Sequence, residues 1–316
     1  NSLLTKDLGT SIFYFTIAVL MSFYVVSKGV KSGIERLNIW MMPALFIFLI
    51  IMLIYSMNMN GFLESAKFML MPDFTKLNKD SILSALGLAF FTLSLGVGTI
   101  ITYAASLPNK TNLLTSSLSI VFINILIGIM MGLIVFTFIF EYGGNPAQEG
   151  PGLVFISLIT LFSKLGFIGN LFAAMFFISL LFAALTSAVS MIEPSALFLI
   201  NNYKFSRKKA LKCIFVFVYI MGILCILSYQ SVTSDSLTFF GKSFFDCLDY
   251  LTSNLMMPTT GIIVAIFVGF VMKKQSLYAL FGLYMGRKLF LIWYFLLRFI
   301  APVAVIIIMV NQLFFS

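Results

Sequence analysis

The sequence predicts an all-α protein that crosses a membrane several times. Three observations carry that prediction. Apolar residues make up 61% of the 316-residue chain and charged ones only 10%, a balance foreign to soluble domains. Apolar runs of about 18 residues or more recur along the chain, each long enough to cross a hydrocarbon core at ~1.5 Å per residue. Cations gather in alternate connections between these runs, as they do in a chain that must choose an orientation.

Taken in order, the runs suggest eight spans: Gly9–Ser27, Leu37–Ser56, Ile82–Ala105, Leu113–Phe140, Phe167–Ile200, Leu211–Ser228, Phe244–Met272 and Leu289–Phe314. The seventh is long for one crossing, so its start, around Phe239 to Asp246, is expected outside the membrane. The apolar run from Pro151 to Phe162 is too short to cross and reads as an interfacial or re-entrant helix. Parity agrees. If that run crossed, the cluster Lys204, Arg207, Lys208, Lys209 and Lys212 would face away from the other basic loops.

With eight spans, the connections after the first, third, fifth and seventh share one side. They carry that cluster together with Lys28, Lys31, Arg36, Lys110, Lys273, Lys274, Arg287 and Lys288, and only one acid, Glu35. The opposite side holds Lys6, Lys67, Lys76, Lys79, Lys164 and Lys242. The basic side is expected in the cytoplasm. The net charge of +9 is thereby assigned to orientation and not to nucleic acid. On this topology both chain ends lie outside, so an odd number of preceding spans is expected in a longer protein. Cys213, Cys225 and Cys247 have no metal or disulfide spacing. The chain has no histidine, which removes histidine-activated nucleophiles and most zinc sites.

The stretch from Phe90 to Tyr103 (FFTLSLGVGTIITY) organises the rest. It lies inside an apolar span, yet Thr92, Ser94, Gly96 and Gly98 make its centre a poor helix. A break at mid-membrane must be buried in protein or line a cavity. There it offers carbonyls to a cation and helix-end amides to an anion. Two readings stand: an ion and substrate site, or a small-residue packing face. Other polar groups inside the spans are Asn124, the adjacent hydroxyls of Thr186 and Ser187, Glu193 just before Pro194, and Asp249. Each is a functional candidate by its place in the membrane. Each also has a plain alternative: a helix-to-helix bond for Asn124, back-bonding to the preceding turn for the hydroxyls, and a solvated outer mouth for Asp249. Arg298 reads as a snorkelling side chain.

These motifs together resemble the neurotransmitter:sodium symporter family, specifically its bacterial amino-acid transporters. The resemblance is carried by FFTLSLGVGTIITYA (Phe90 to Ala104), LFAALTSAVSMIEP (Leu181 to Pro194), KGVKSGIER (Lys28 to Arg36), EGPGLVFISL (Glu149 to Leu158), LDYLTSN (Leu248 to Asn254) and LLRFIAP (Leu296 to Pro302). It covers essentially the whole chain. It implies the inverted-repeat leucine-transporter fold, in one transporter domain over residues 1–316. The eight spans would then be the fourth to eleventh of an eleven-span protein. Residues 1–57 would end the first repeat, 82–272 would form the second, and 288–316 would be the last span.

The resemblance also implies a role for each polar group. One sodium site would use Thr92 and Asn124, the other the Ala183 carbonyl with the Thr186 and Ser187 hydroxyls. The substrate pocket would include Phe91, Thr92, Ser94, Val97, Ser187 and Met191. Phe91 would cap it, and Asp249 would be half of an outer gate. Sodium is a hard cation, and these groups supply the oxygen it prefers. The function implied is sodium-coupled symport of an apolar or aromatic amino acid in a bacterial inner membrane, with no catalytic residues and no metal but sodium. Missing spans would leave this chain alone unable to transport. Some positions depart from the family pattern: Val97 stands for an aromatic, Leu88 for a frequent Gln, Gly128 for an acid in some relatives, and Asn201 for the usual inner-gate acid. Chloride dependence and oligomeric state stay open. The alternatives are a non-transporting membrane interaction subunit or a decayed gene fragment. An intramembrane enzyme is disfavoured by the lack of histidine and of any Gly-x-Gly-Asp motif.

Overall fold

The computed structural model describes residues 8–108, 111–146, 154–155, 158–229, 237–239, 241–282 and 284–314. In the described residues seven helices are long and apolar enough to cross a membrane. Their surfaces are apolar and largely uncovered: in the helix from Leu113 to Tyr142 the most apolar 18-residue stretch has a mean hydropathy of 2.7, yet only 17% of it is buried. Such a surface suits lipid, where backbone groups are satisfied inside each helix and apolar side chains face the tails.

Along the chain the helices run in this order. Helix α1 covers Leu8–Ser27 and leads through a π-helical turn π1 (Val30–Glu35) into α2 (Arg36–Ser56). A short α3 (Phe62–Leu70) follows. The third expected span is two helices, α4 (Lys79–Thr92) and α5 (Thr99–Ala104), separated by a break. Neither half is long enough to count among the seven. Then come α6 (Leu113–Tyr142), the short α7 (Leu158–Ser163), α8 (Phe167–Tyr203) and α9 (Arg207–Leu227). Of the expected interfacial run, Val154, Phe155 and residues 158–162 are described and helical, the first two with π-helical bonding; most of EGPGLVFISL lies outside the described residues.

Before the next span, strands β1 (Thr238–Phe239) and β2 (Lys242–Ser243) pair antiparallel, with Thr238 opposite Ser243. The span itself starts only at Phe244, with α10 (Phe244–Asp249), π2 (Tyr250–Met256), α11 (Met257–Ile266) and π3 (Phe267–Val271). Its start is defined by a reciprocal cap. Asp246 N donates to Ser243 Oγ at 3.1 Å, and Ser243 N donates to the Asp246 carboxylate at 3.3 Å, which satisfies two orphan amides at once. Helix α12 (Lys274–Phe281) precedes the last span, made of α13 (Arg287–Phe295), π4 (Leu296–Ile300) and α14 (Ala301–Phe314).

The chain divides into two compact units. The first holds Asn1–Phe74 and Ile125–Tyr219, the second Thr75–Asn124 and Ile220–Ser316. In the first unit α8 packs along α1, α2 and α7. Leu49 and Met52 of α2, Ile134 and Phe138 of α6, Phe162 of α7 and Phe176 of α8 form its core. In the second, α14 packs on α4 and α11. Next to it, π3 meets π4 where a Cβ on Gly269 would lie 3.0 Å from Arg298 Cα. Tyr294 OH donates to the Gly269 carbonyl at 2.9 Å, and Arg298 donates to Tyr294 OH at 3.3 Å. Its guanidinium rests 4.5 Å from the Phe270 ring centroid. Arg298, expected to snorkel, is held here by aromatic groups within the protein.

Candidate ion and substrate site

The break between α4 and α5 lies in the second unit. Helix α4 ends at Thr92 as Ser94 turns into the left-handed region at φ 52°, which an L residue rarely adopts. Gly96 and Gly98 follow at φ 89° and 85°. Gly96 also approaches α11 so closely that a Cβ there would lie 2.2 Å from the Met257 carbonyl oxygen. The expected helix breaker is therefore a defined turn pressed against a neighbouring helix.

Asn124 of α6 donates its side-chain amide to the Thr92 carbonyl at 3.0 Å. Here the structure brings together two residues that lie far apart in the chain. The bond pins the carbonyl that the helix end would leave without a partner. It also fixes which end of the Asn124 amide faces the Thr92 carbonyl: the nitrogen is committed to that bond. The Thr92 hydroxyl donates back to Ala89 O at 3.3 Å, which leaves its lone pairs for a ligand.

Phe91 is exposed and lines a cavity of about 430 Å³ together with Leu88, Ser253, Asn254, Met257 and Asn311. Asp249 is exposed and does not line it. Its carboxylate accepts from Ser253 Oγ at 2.9 Å, so it reaches the cavity wall through that serine. Ser94 borders a larger, apolar cavity of about 730 Å³ with Phe90, Gly96, Gly261, Trp293 and Ile300. Val97 is half-buried and in neither lining.

The other expected oxygens lie on α8 in the first unit. Thr186 is buried, and its hydroxyl lies 2.9 Å from Phe182 O and 3.0 Å from Ala183 O. Donation to Phe182 O leaves the Ala183 carbonyl and the Thr186 oxygen as adjacent acceptors, close enough to share one hard cation. Back-bonding and cation binding are thus compatible at Thr186. Ser187 and Met191 are exposed on the same helix. These residues and the break belong to different units.

Two features escaped the sequence reading. Thr99 opens α5 with a buried hydroxyl that has no hydrogen-bond partner among the described residues. Arg207, read as one cation in a basic loop, forms an ion pair with Glu193 at 2.6 Å, and the Glu193 side chain is wholly buried. The available signal was chemical: Arg alone in that cluster has the planar fork that holds a carboxylate with two bonds.

A family model described as "Sodium:neurotransmitter symporter family" matches residues 4–315. The chain belongs to this family. Its fold and family are those of secondary transporters and not of enzymes. An uncharacterized sodium-dependent transporter of Bacillus subtilis, YhdH, is 40% identical over 97% of this chain and 66% of its own length. One from Haemophilus influenzae is 35% identical over 96% of the chain and 65% of its own length. The crystal structure of MhsT in complex with L-phenylalanine matches with a TM-score of 0.84 and 32% identity, covering 96% of this chain and 68% of that one. The chain thus spans about two thirds of the length of these family members.

Proposed function

We propose that this chain forms the ion- and substrate-holding part of a sodium-coupled amino-acid symporter. The observation that carries this reading is the break after Thr92, whose carbonyl is held by Asn124 at 3.0 Å. A packing face of small residues needs neither the left-handed Ser94 nor a side-chain amide aimed at a helix-end carbonyl. Thr92 and Asn124 hold one sodium ion, and Ala183, Thr186 and Ser187 hold a second. Each set is neutral oxygen, so a cation binds without a proton being exchanged, which favours sodium over protons as the coupling ion.

The substrate is an amino acid with an apolar or aromatic side chain. MhsT was crystallised with phenylalanine, and the residues proposed around the substrate (Phe91, Val97, Met191) are apolar with few polar groups, as small-molecule pockets are. Ser94 and Thr92 in the second unit and Ser187 in the first are the polar residues assigned to the substrate, Phe91 is assigned as its cap, and Asp249 acts with Ser253 at the outer mouth. The membrane is a bacterial inner membrane, with the Lys204–Lys212 side in the cytoplasm.

The test is sodium-dependent binding and uptake of a labelled amino-acid panel by the protein expressed from its complete gene. Thr186→Ala with Ser187→Ala removes two oxygens from one cation and is expected to raise the half-saturating sodium concentration about tenfold, the scale of a lost bond to a charged group. Unchanged sodium dependence in that variant removes the α8 site. Absence of sodium-dependent binding in the parent returns the chain to a non-transporting membrane subunit.

A further inference from the structure

We propose that the connection between α1 and α2 is a binding site for the headgroup of an anionic phospholipid, a role separate from transport. A cavity of about 380 Å³ opens there, lined among others by Tyr24, Lys28, Ser32, Arg36, Leu37 and Trp40. Tyr24, Lys28, Ser32, Arg36 and Trp40 recur at every fourth position. The π1 turn between the helices keeps this row on one wall in place of dispersing it. Gly33 makes the turn tight: a Cβ there would lie 2.1 Å from the Val25 carbonyl oxygen.

The chemistry of the wall is divided along its length. Tyr24 and Trp40 are 63% and 75% exposed and lie within the apolar spans, at the level where aromatic rings meet headgroups. Lys28 and Arg36 lie at the ends of two consecutive spans, so both reach the same membrane face. The Lys28 ammonium sits over the Tyr24 ring at 4.3 Å from its centroid. Among the described residues no carboxylate pairs with Lys28 or Arg36; the exposed Glu35 pairs with neither. Arg207 nearby is already committed to Glu193 and to the Val26 carbonyl.

Two cations without an acid, above an apolar, aromatic wall, complement a phosphate joined to acyl chains; the Ser32 hydroxyl is committed to the Lys28 carbonyl and only borders the site. A soluble phosphate would leave the wall unused, and a zwitterionic lipid would bring its own cation against Lys28 and Arg36. Basic pockets between helices at a membrane face bind anionic headgroups on these terms. The loop cations Lys204, Lys208, Lys209 and Lys212 are not among the residues lining this cavity.

The chain has two tryptophans, so Trp293→Phe leaves Trp40 as a reporter inside the site. The protein is placed in phosphatidylcholine vesicles containing increasing dibromo-phosphatidylglycerol or dibromo-phosphatidylcholine, and Trp40 quenching is followed. Half-maximal quenching is expected at an about tenfold lower fraction of the glycerol lipid. Lys28→Gln with Arg36→Gln is expected to bring the two curves within about twofold, at unchanged helix content by circular dichroism. In the unsubstituted Lys28/Arg36 protein, salt is expected to shrink the preference, a readout that does not depend on the double variant folding. Identical curves for the two lipids, a preference that survives the double substitution, or one indifferent to salt overturns the proposal. So does relief of quenching by glycerol phosphate, which would assign the site to a soluble anion.

Discussion

Gly96→Ala is expected to destabilise the protein by about 2–4 kcal/mol, the sum of a strained backbone and an overpacked contact. Two independent effects act at this position. Its φ of 89° lies where L residues are strained. An added Cβ would lie 2.2 Å from the Met257 carbonyl oxygen and 2.9 Å from its carbon. Those atoms are backbone of α11, so no side chain can rotate away; the turn or the helix must shift. Gly98 is the internal control. Its φ of 85° imposes the same strain, but nothing lies within 4 Å of a Cβ there. Gly98→Ala is therefore expected to cost only about 1 kcal/mol. Thermal unfolding of both variants in detergent separates the terms. Equal losses would mean that contact with α11 does not matter. On the proposed function, Gly96→Ala also displaces the Thr92 carbonyl and weakens sodium binding more than Gly98→Ala does.

That break was legible from composition, because Thr, Ser and two glycines in an apolar span oppose a continuous helix. Its partner Asn124 was legible only as a polar residue in the membrane. That it donates to the Thr92 carbonyl depends on how α6 packs in the second unit, and no local pattern encodes this. The limits of α1, α2, α6, α8 and α9 fall within a few residues of the expected spans, since length and apolarity decide them. The π-helical turns were not legible. Two of them, π3 and π4, lie where Gly269 and Arg298 press together, a contact between segments that no local pattern encodes. Short α3 and α12 also escaped notice, since each is too brief and mixed to stand out from a connection. Arg298 was misjudged in part for a related reason. A sequence shows that a cation lies near a span end, but not that Phe270 and Tyr294 enclose it.

Arg207→Met is expected to destabilise the protein by about 3–5 kcal/mol, whereas Glu193→Leu combined with Arg207→Met is expected to restore most of the loss. Arg207 donates to both Glu193 oxygens, at 3.1 and 2.6 Å. It also donates from Nε and Nη2 to the Val26 carbonyl, at 3.2 and 2.7 Å. The guanidinium thus ties α8 to the C-terminal end of α1, where carbonyls lack helical partners and a cation suits the dipole. Removing Arg207 leaves a carboxylate with 0% exposure unpaired, and that uncompensated charge dominates the cost. Removing both charges leaves only the Val26 carbonyl to be accounted for, and it still accepts from Gly29 N at 3.0 Å. The prediction is thus a coupling and not a sum. It is measured by thermal or denaturant unfolding of the two single variants and the double. Additive losses would mean that the pair is not held as a unit. A double variant that is stable yet, on the proposed function, fails to couple uptake to sodium would show that the pair is retained for function.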